Sequence, residues 1–257
     1  MSRAEPLGDE LSDDAVFGGA LQIRQRRRGY RFNVDALWLV AAARPHAHGV
    51  VCDLGAGSGV VGLALGLVPD VDRVVLVERQ QGLAQLCRHN ALQLAACTPV
   101  QVEQQDLRQL KLDDPVDLVV SNPPYFDPAS SRPPHDAEID QARRALHGDL
   151  QDFAEAAARL LGPDGCWVSV LPANMLEHIT RACQHVGFHV DGVRPVHPRS
   201  GQPARILLVS ARPGSAGSAR HLQPILEADG QGAETDTAAA LRQSHWITAT
   251  SGRSPLR

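Results

Sequence analysis

Lysine is almost missing from this chain: Lys111 is the only one in 257 residues, and arginine carries nearly all the positive charge. In such a composition a run of arginines is most often a solvated face, so Arg24, Arg26, Arg27 and Arg28 do not by themselves make a binding site. An excess of positive charge is also lacking. With a formal net charge of -4 and a pI near 6.2, the protein is not built to coat a nucleic acid over its whole surface, and any such contact must be local. No Cys-x-x-Cys pair occurs. Cys52, Cys87, Cys97, Cys166 and Cys183 mostly have apolar neighbours, which reads as small buried hydrophobes in a reducing compartment and points to neither zinc nor disulfides. His135, His147 and His197 lack ligand spacing, so no metal is expected. Apolar runs such as Val60 to Val68 fall far short of a membrane span, and no basic segment followed by an apolar stretch opens the chain. A cytoplasmic location is the expectation.

What is present is a chain with 43% hydrophobic residues, enough for one substantial core. From Val50 onward, short runs rich in Val and Leu alternate with longer helical patterns, the signature of a parallel sheet covered on both faces. Strands are expected at Val50 to Asp53, Val74 to Glu78, Val100 to Asp106, Asp117 to Ser121, Cys166 to Leu171, Phe188 to Val193 and Arg205 to Arg212. Helices are expected at Gly59 to Val68, Gly82 to Ala95, about Asp149 to Leu161 and Asn174 to Val186. The division is an N-terminal extension over 1–48 that contributes to the pocket, a catalytic domain over 49–212 and a partly flexible tail over 213–257. The loop Phe126 to His147 is long enough to suspect a lid or substrate loop.

Asp53-Leu54-Gly55-Ala56-Gly57-Ser58-Gly59 leaves a strand and opens a helix, and its glycines let the backbone turn sharply against a ligand. Dinucleotide enzymes carry G-x-G-x-x-G here, whereas this spacing is G-x-G-x-G with Val60 at the place of the third glycine. Asp53 is also unfavourable beside a pyrophosphate. A cationic ligand without phosphate fits better, and S-adenosylmethionine is one, with Asp53 helping to hold its cationic amino acid end. Glu78 ends the next strand, about 20 residues on, where a carboxylate accepts from both ribose hydroxyls. Asp106 is placed to accept from the adenine amino group. Each carboxylate alone reads as easily as a helix cap, and their order along the chain is what is specific.

Ser121-Asn122-Pro123-Pro124-Tyr125 follows the fourth strand. An arbitrary Asn-Pro-Pro is a turn. In this place the two prolines stiffen the backbone so that the Asn122 carboxamide oxygen and the Pro123 carbonyl can each accept one N–H of an exocyclic amine. Those two bonds draw the nitrogen toward tetrahedral geometry and aim its lone pair, while Tyr125 stacks on the base.

The glycine loop, Glu78, Asp106 and Asn122-Pro123-Pro124-Tyr125 resemble the class I methyltransferases with an N-P-P-Y motif, which modify planar nitrogens of adenine or glutamine. Arg28-Gly29-Tyr30-Arg31-Phe32-Asn33-Val34-Asp35-Ala36, Gln141-Ala142-Arg143-Arg144 and Pro203-Ala204-Arg205-Ile206-Leu207-Leu208 are similar to the bacterial tRNA1(Val) adenine N6-methyltransferase family. The resemblance spans about residues 13 to 230. It implies an α/β, Rossmann-like class I methyltransferase fold: a seven-stranded, mostly parallel sheet with an antiparallel last strand and helices on both faces. It also implies S-adenosylmethionine as cofactor and a tRNA as partner, methylated at adenine 37. The bound methyl donor would rest on Asp53, Gly55, Gly57, Gly59, Glu78, Asp106 and Asn122. Tyr30, the Arg24 to Arg28 cluster, Arg199 and Arg205, with Arg194 as a companion, would face the RNA. An aromatic expected in a Gly-x-Tyr-Thr/Ser element near Gly230 is missing from Gly232-Ala233-Glu234-Thr235. Three rivals stay open: a glutamine methyltransferase for a release factor, disfavoured by only about 50 residues ahead of the first strand, a non-catalytic S-adenosylmethionine-binding module, and a small-molecule methyltransferase, compatible with the negative net charge. Oligomeric state is not readable, with a monomer favoured.

Overall fold

The computed structural model describes residues 11–29, 31–123, 149–214, 217 and 219–241. A hairpin of β1 (Leu11–Val16) and β2 (Leu21–Arg26) opens the chain and is followed by α1 (Val34–Ala43). Then come β3 (Gly49–Leu54), α2 (Val60–Leu65), β4 (Val71–Val77), α3 (Gln81–Ala91), β5 (Val100–Glu103) and β6 (Val116–Ser121). The second half holds α4 (Leu150–Leu160), β7 (Leu161–Pro172), α5 (Leu176–His185), β8 (Phe188–Arg199) and β9 (Ile206–Pro213), then β10 (Arg220–His221), β11 (Ile225–Ala228) and α6 (Asp236–Leu241).

The sheet runs β8-β9-β7-β6-β3-β4-β5. All neighbours are parallel except at β9, which is antiparallel to both β7 and β8. This is the expected α/β arrangement with a reversed last strand. It is longer than expected, however: β10 and β11 pair in succession with the outer edge of β8, giving nine strands in place of seven. The tail after 213 is thus partly sheet. Its strands of two and four residues are too short for a periodicity to announce them. They form because β8 offers twelve residues of backbone edge and because Ile225 is buried against the core.

Two apolar layers enclose the sheet. The hairpin, α1, α2 and the inner side of α3 pack on one face, and α4 and α5 on the other. Helix α1 is apolar nearly all round and is buried accordingly, its first turn closed by the Asn33 side chain accepting from the Asp35 N–H at 3.1 Å. Helix α4 starts on a reciprocal capping box between Asp149 and Asp152.

The hairpin is the second feature absent from the sequence reading. Leu21, Ile23 and Gln25 point inward and Gln22, Arg24 and Arg26 outward, the period of a half-buried strand. Its register sets Asp13 opposite Arg24. The two aspartates of β1 therefore pair with nearby arginines, Asp13 with Arg24 and Asp14 with Arg31.

Candidate active site

The C-terminal ends of β3, β4 and β6 lie side by side, and the glycine loop, Glu78 and Asn122 follow directly from them. Gly55, Gly57 and Gly59 have φ of 73°, 61° and 87°, the left-handed region. At Gly59 a side chain would also meet Leu76 Cδ1 at 3.0 Å. A glycine at the N-cap of α2 has no oxygen to give the helix, and Asp53 supplies it: Oδ2 accepts from the Gly62 N–H at 2.9 Å. Asp53 is only 2% exposed. Burial pushes its carboxyl up to about 7; the Gly62 bond opposes the shift and the nearby Glu78 adds to it.

Glu78 receives the Gly57 N–H at 3.0 Å on one oxygen and the Gln80 N–H at 2.7 Å on the other. Burial raises its carboxyl above the usual range, and these backbone donors restrain the shift. Behind the loop, α3 holds two successive carbonyls, with Cys87 Sγ on Gly57 O at 3.2 Å and Asn90 Nδ2 on Ser58 O at 2.8 Å. Sequence reasoning read Cys87 as an inert core residue and passed over Asn90. Ser58 Oγ, buried in the same loop, has no hydrogen-bond partner among the described residues. A cradle of left-handed glycines, strand-end carboxylates and an unsatisfied hydroxyl fits a polar, cationic ligand such as S-adenosylmethionine.

Asp106 lies beyond the end of β5 rather than closing it. Its carboxylate takes the Arg108 fork, Nε at 2.9 Å, with Arg79 3.5 Å away. The Arg108 hydrogen bonds hold its pKa below the ordinary value.

On β6, Leu54 pairs with Ser121, so Gly55 and Asn122 leave neighbouring strands at the same level. Ser121 is locked in place from β7: Trp167 Nε1 donates to Ser121 Oγ at 2.9 Å, Ser121 Oγ to Ser169 Oγ at 3.1 Å, and Ser169 Oγ to Ser121 O at 3.1 Å. All three are buried. Asn122 is half-buried and Pro123 buried, directly after this anchor. Ser169 and Trp167 carried no signal in the sequence, since the bonds cross to a strand more than 45 residues away. Pro124, Tyr125, Tyr30 and the loop Phe126 to His147 lie outside the described residues.

The arginines separate into groups. Arg24 holds Asp13 with both Nε and Nη2 at 2.8 Å, and Arg27 Nε donates to Leu11 O at 2.7 Å. Arg26 and Arg28 are exposed, and Arg26 lies over Gly82 at the start of α3, where an added Cβ would meet its guanidinium at 2.5 Å. Arg199 rests beside Gly232. Arg205 pairs with the buried Asp35 at 2.8 Å and with Glu227 at 3.0 Å, and Glu227 also receives Trp38 Nε1 at 2.9 Å. This network ties the Asn33-Val34-Asp35 entry of α1 to Arg205 and to β11, joining three segments far apart in the chain. Arg194 is half-buried on β8. Among the described residues no group of His, Cys, Asp and Glu could hold a metal ion, and no helix is long and apolar enough to cross a membrane.

Comparison with known proteins agrees with this geometry. The sequence profile of the methyltransferase small domain matches residues 33–178. The chain is 32% identical over 217 residues to a tRNA1(Val) (adenine(37)-N6)-methyltransferase of Yersinia enterocolitica, covering 80% of this chain and 85% of that protein. It is 30% identical over 162 residues to a protein of the same name from Phocaeicola vulgatus, covering 62% of this chain and 67% of that one. Among solved structures, a protein of Agrobacterium tumefaciens described as a predicted O-methyltransferase shares the fold with a TM-score of 0.64 at 22% identity, covering 85% of this chain and 99% of the other. With the profile spanning more than half of the sequence and the cradle built as described, the chain belongs to the methyltransferase small domain family and is an S-adenosylmethionine-dependent methyltransferase.

Proposed function

We propose that this protein methylates the exocyclic N6 of an adenine in tRNA, adenine 37 of tRNA1(Val) being the favoured target. The relatives from Yersinia enterocolitica and Phocaeicola vulgatus bear that activity in their names. The observation that carries the reading is the Leu54 to Ser121 pairing, which sets the cofactor loop and Asn122 on adjacent strands at one level. Strands are about 4.8 Å apart, close enough for an amine held at one to meet a methyl held at the other. Gly55, Gly57, Gly59, Glu78, Asp106 and Asn122 are the residues we assign to the cofactor, and Asp53, expected from the sequence to hold the amino acid end directly, is buried and is assigned to act through the loop that it anchors at Gly62. When bound, S-adenosylmethionine supplies a methyl group on a sulfonium, ready for in-line displacement.

An adenine amino group is a weak nucleophile because its lone pair is shared with the ring. The Asn122 carboxamide oxygen and the Pro123 carbonyl each accept one of its N–H bonds, with Pro124 fixing the backbone and Tyr125 stacking on the base. The new N–C bond forms as the S–C bond breaks, and the surplus proton on nitrogen passes to solvent. No strong general base is needed, since the nitrogen becomes acidic on methylation. The work is positioning.

For RNA contact we assign first Arg26 and Arg28, then Arg27 and Arg199, as phosphate ligands at the mouth. Arg24 and Arg205 already hold carboxylates and shape the walls. Tyr30 is assigned to the base pocket, and the enzyme to the cytoplasm, where its substrate is.

The test is incubation with methyl-labelled S-adenosylmethionine and total tRNA from cells lacking the enzyme, followed by nucleoside analysis. Label in N6-methyladenosine is expected, and Asn122→Ala should lower turnover by about 100-fold or more while cofactor binding persists. Label in protein glutamine, or an Asn122→Ala enzyme with full turnover, would overturn the reading.

A further inference from the structure

Strand β2 has β1 on one edge and, on the other, two side-chain amides of α3 and the turn after it in place of a strand. Gln93 accepts the Gln22 N–H at 2.8 Å and donates to Gln22 O at 2.7 Å. Asn90 does the same one turn earlier for Arg24, accepting from its N–H at 2.9 Å and donating to its O at 3.0 Å. Asn90 differs in one respect. Its second Nδ2 hydrogen reaches Ser58 O in the glycine loop at 2.8 Å. The side chain is fully buried, and both amide donors are committed, one to the arginine hairpin and one to the cofactor cradle.

We propose that Asn90 makes the hairpin and the glycine loop one cooperative unit, so that tRNA and S-adenosylmethionine each tighten the other's binding. This rests on the reading of the hairpin arginines as phosphate ligands. The planar amide cannot move toward Arg24 without pulling its other hydrogen from Ser58 O, and an unmatched buried carbonyl is costly. Ordering either segment therefore orders both. Whichever ligand binds first meets that ordering cost for the second, and the coupling is reciprocal. Asn90 touches neither ligand in this scheme and acts through the Ser58 peptide, as a positioning residue.

The measurement is the dissociation constant of S-adenosylhomocysteine, the non-reactive product, with and without saturating unmodified tRNA. In the native enzyme tRNA is expected to tighten it by about 5-fold or more. Gln93→Ala severs a hairpin clamp without touching the loop and should keep that ratio, whereas Asn90→Ala should bring it to about one while leaving a folded protein by thermal melt. A ratio of one in the native enzyme, or a native ratio in Asn90→Ala, overturns the proposal. Should Asn90→Ala not fold, hydrogen exchange decides: amides of residues 21–26 must slow when S-adenosylhomocysteine is added alone, and unchanged exchange overturns the link. The two readings separate in Arg26→Ala/Arg28→Ala. If that variant binds tRNA as well as the native enzyme, the phosphate reading falls and takes the RNA half of the coupling with it, while the exchange result still decides the link.

Discussion

Asp53 and Asp106 stand at the same end of the sheet, on either side of β4, and their carboxyl groups are driven in opposite directions. Asp53 is sealed under the glycine loop with one backbone N–H for company, and burial raises its pKa. Asp106 is half-buried at the rim, with the Arg108 hydrogen bonds lowering its pKa and Arg79 close by. A strand-end aspartate is thus two different devices depending on which side of the backbone turn it faces. The inner one holds the loop in shape through Gly62, and the outer one is a charged acceptor held by Arg108, which we propose for the amino group of the cofactor's adenine.

The largest effect should come from breaking the inner device by pH. The carboxyl of Asp53 lies at about 7 in the folded protein against an ordinary 3.8. Between these values the folded chain keeps a proton that the unfolded chain has released, so stability falls as pH rises through the window, and above it the loss is complete. Asp53→Asn keeps an acceptor for Gly62 and removes the titration. Its stability relative to the native enzyme, from urea midpoints, is expected to grow by up to about 4 kcal/mol between about pH 4 and about pH 8. A variant that tracks the native slope would show that Asp53 is no different from Asp106.

A middle-sized effect is expected at the base end of the rim, where hydroxyls replace carboxylates. Ser169→Ala takes a donor from Ser121 O and leaves buried polar atoms unmatched, for a loss of about 1 to 3 kcal/mol in denaturant unfolding. Turnover should drop further than cofactor affinity, since Ser121 immediately precedes Asn122. The smallest effect sharpens the outer side. Arg108→Ala frees a half-buried carboxylate from a pair with an exposed arginine worth about 0.2 to 1 kcal/mol, so S-adenosylhomocysteine should bind up to about 5-fold more tightly. Weaker binding would mean that Arg108 itself supports the ligand and that Asp106 is not waiting for it.

How much of this was legible follows from how far each bond reaches. Glycines, Glu78 and Asn122 sit at strand ends in an order that alternating apolar runs make visible, and the parallel sheet came with them, whereas the reversed last strand was implied only by the family resemblance. The supports behind them were not visible. Asn90 reaches 66 residues back to Arg24, and Trp167 reaches 46 residues back to Ser121, and no local pattern marks such partners. The hairpin was nearer to view. Gly18-Gly19 is a turn signal and Leu21-Gln22-Ile23-Arg24-Gln25 alternates, but the arginine cluster suggested a solvated face and hid that Arg24 stands opposite Asp13. The two strands in the tail were hidden for a different reason: composition rich in Gly, Ser and Gln speaks of low intrinsic order, whereas β10 and β11 borrow their order from β8.

The two margins of the sheet are finished differently, and this matters for anyone shortening the protein. β5 is only four residues long, with Gln101 exposed and its side chain shared between Arg73 and Glu103. β8 is three times that length, and it is β10 and β11 that occupy its outer hydrogen-bonding row. Stopping the chain at Pro213 would strip that row bare and offer a long, ready template to any neighbouring strand. Truncation after Pro213 is therefore expected to promote self-association, which size-exclusion chromatography would show.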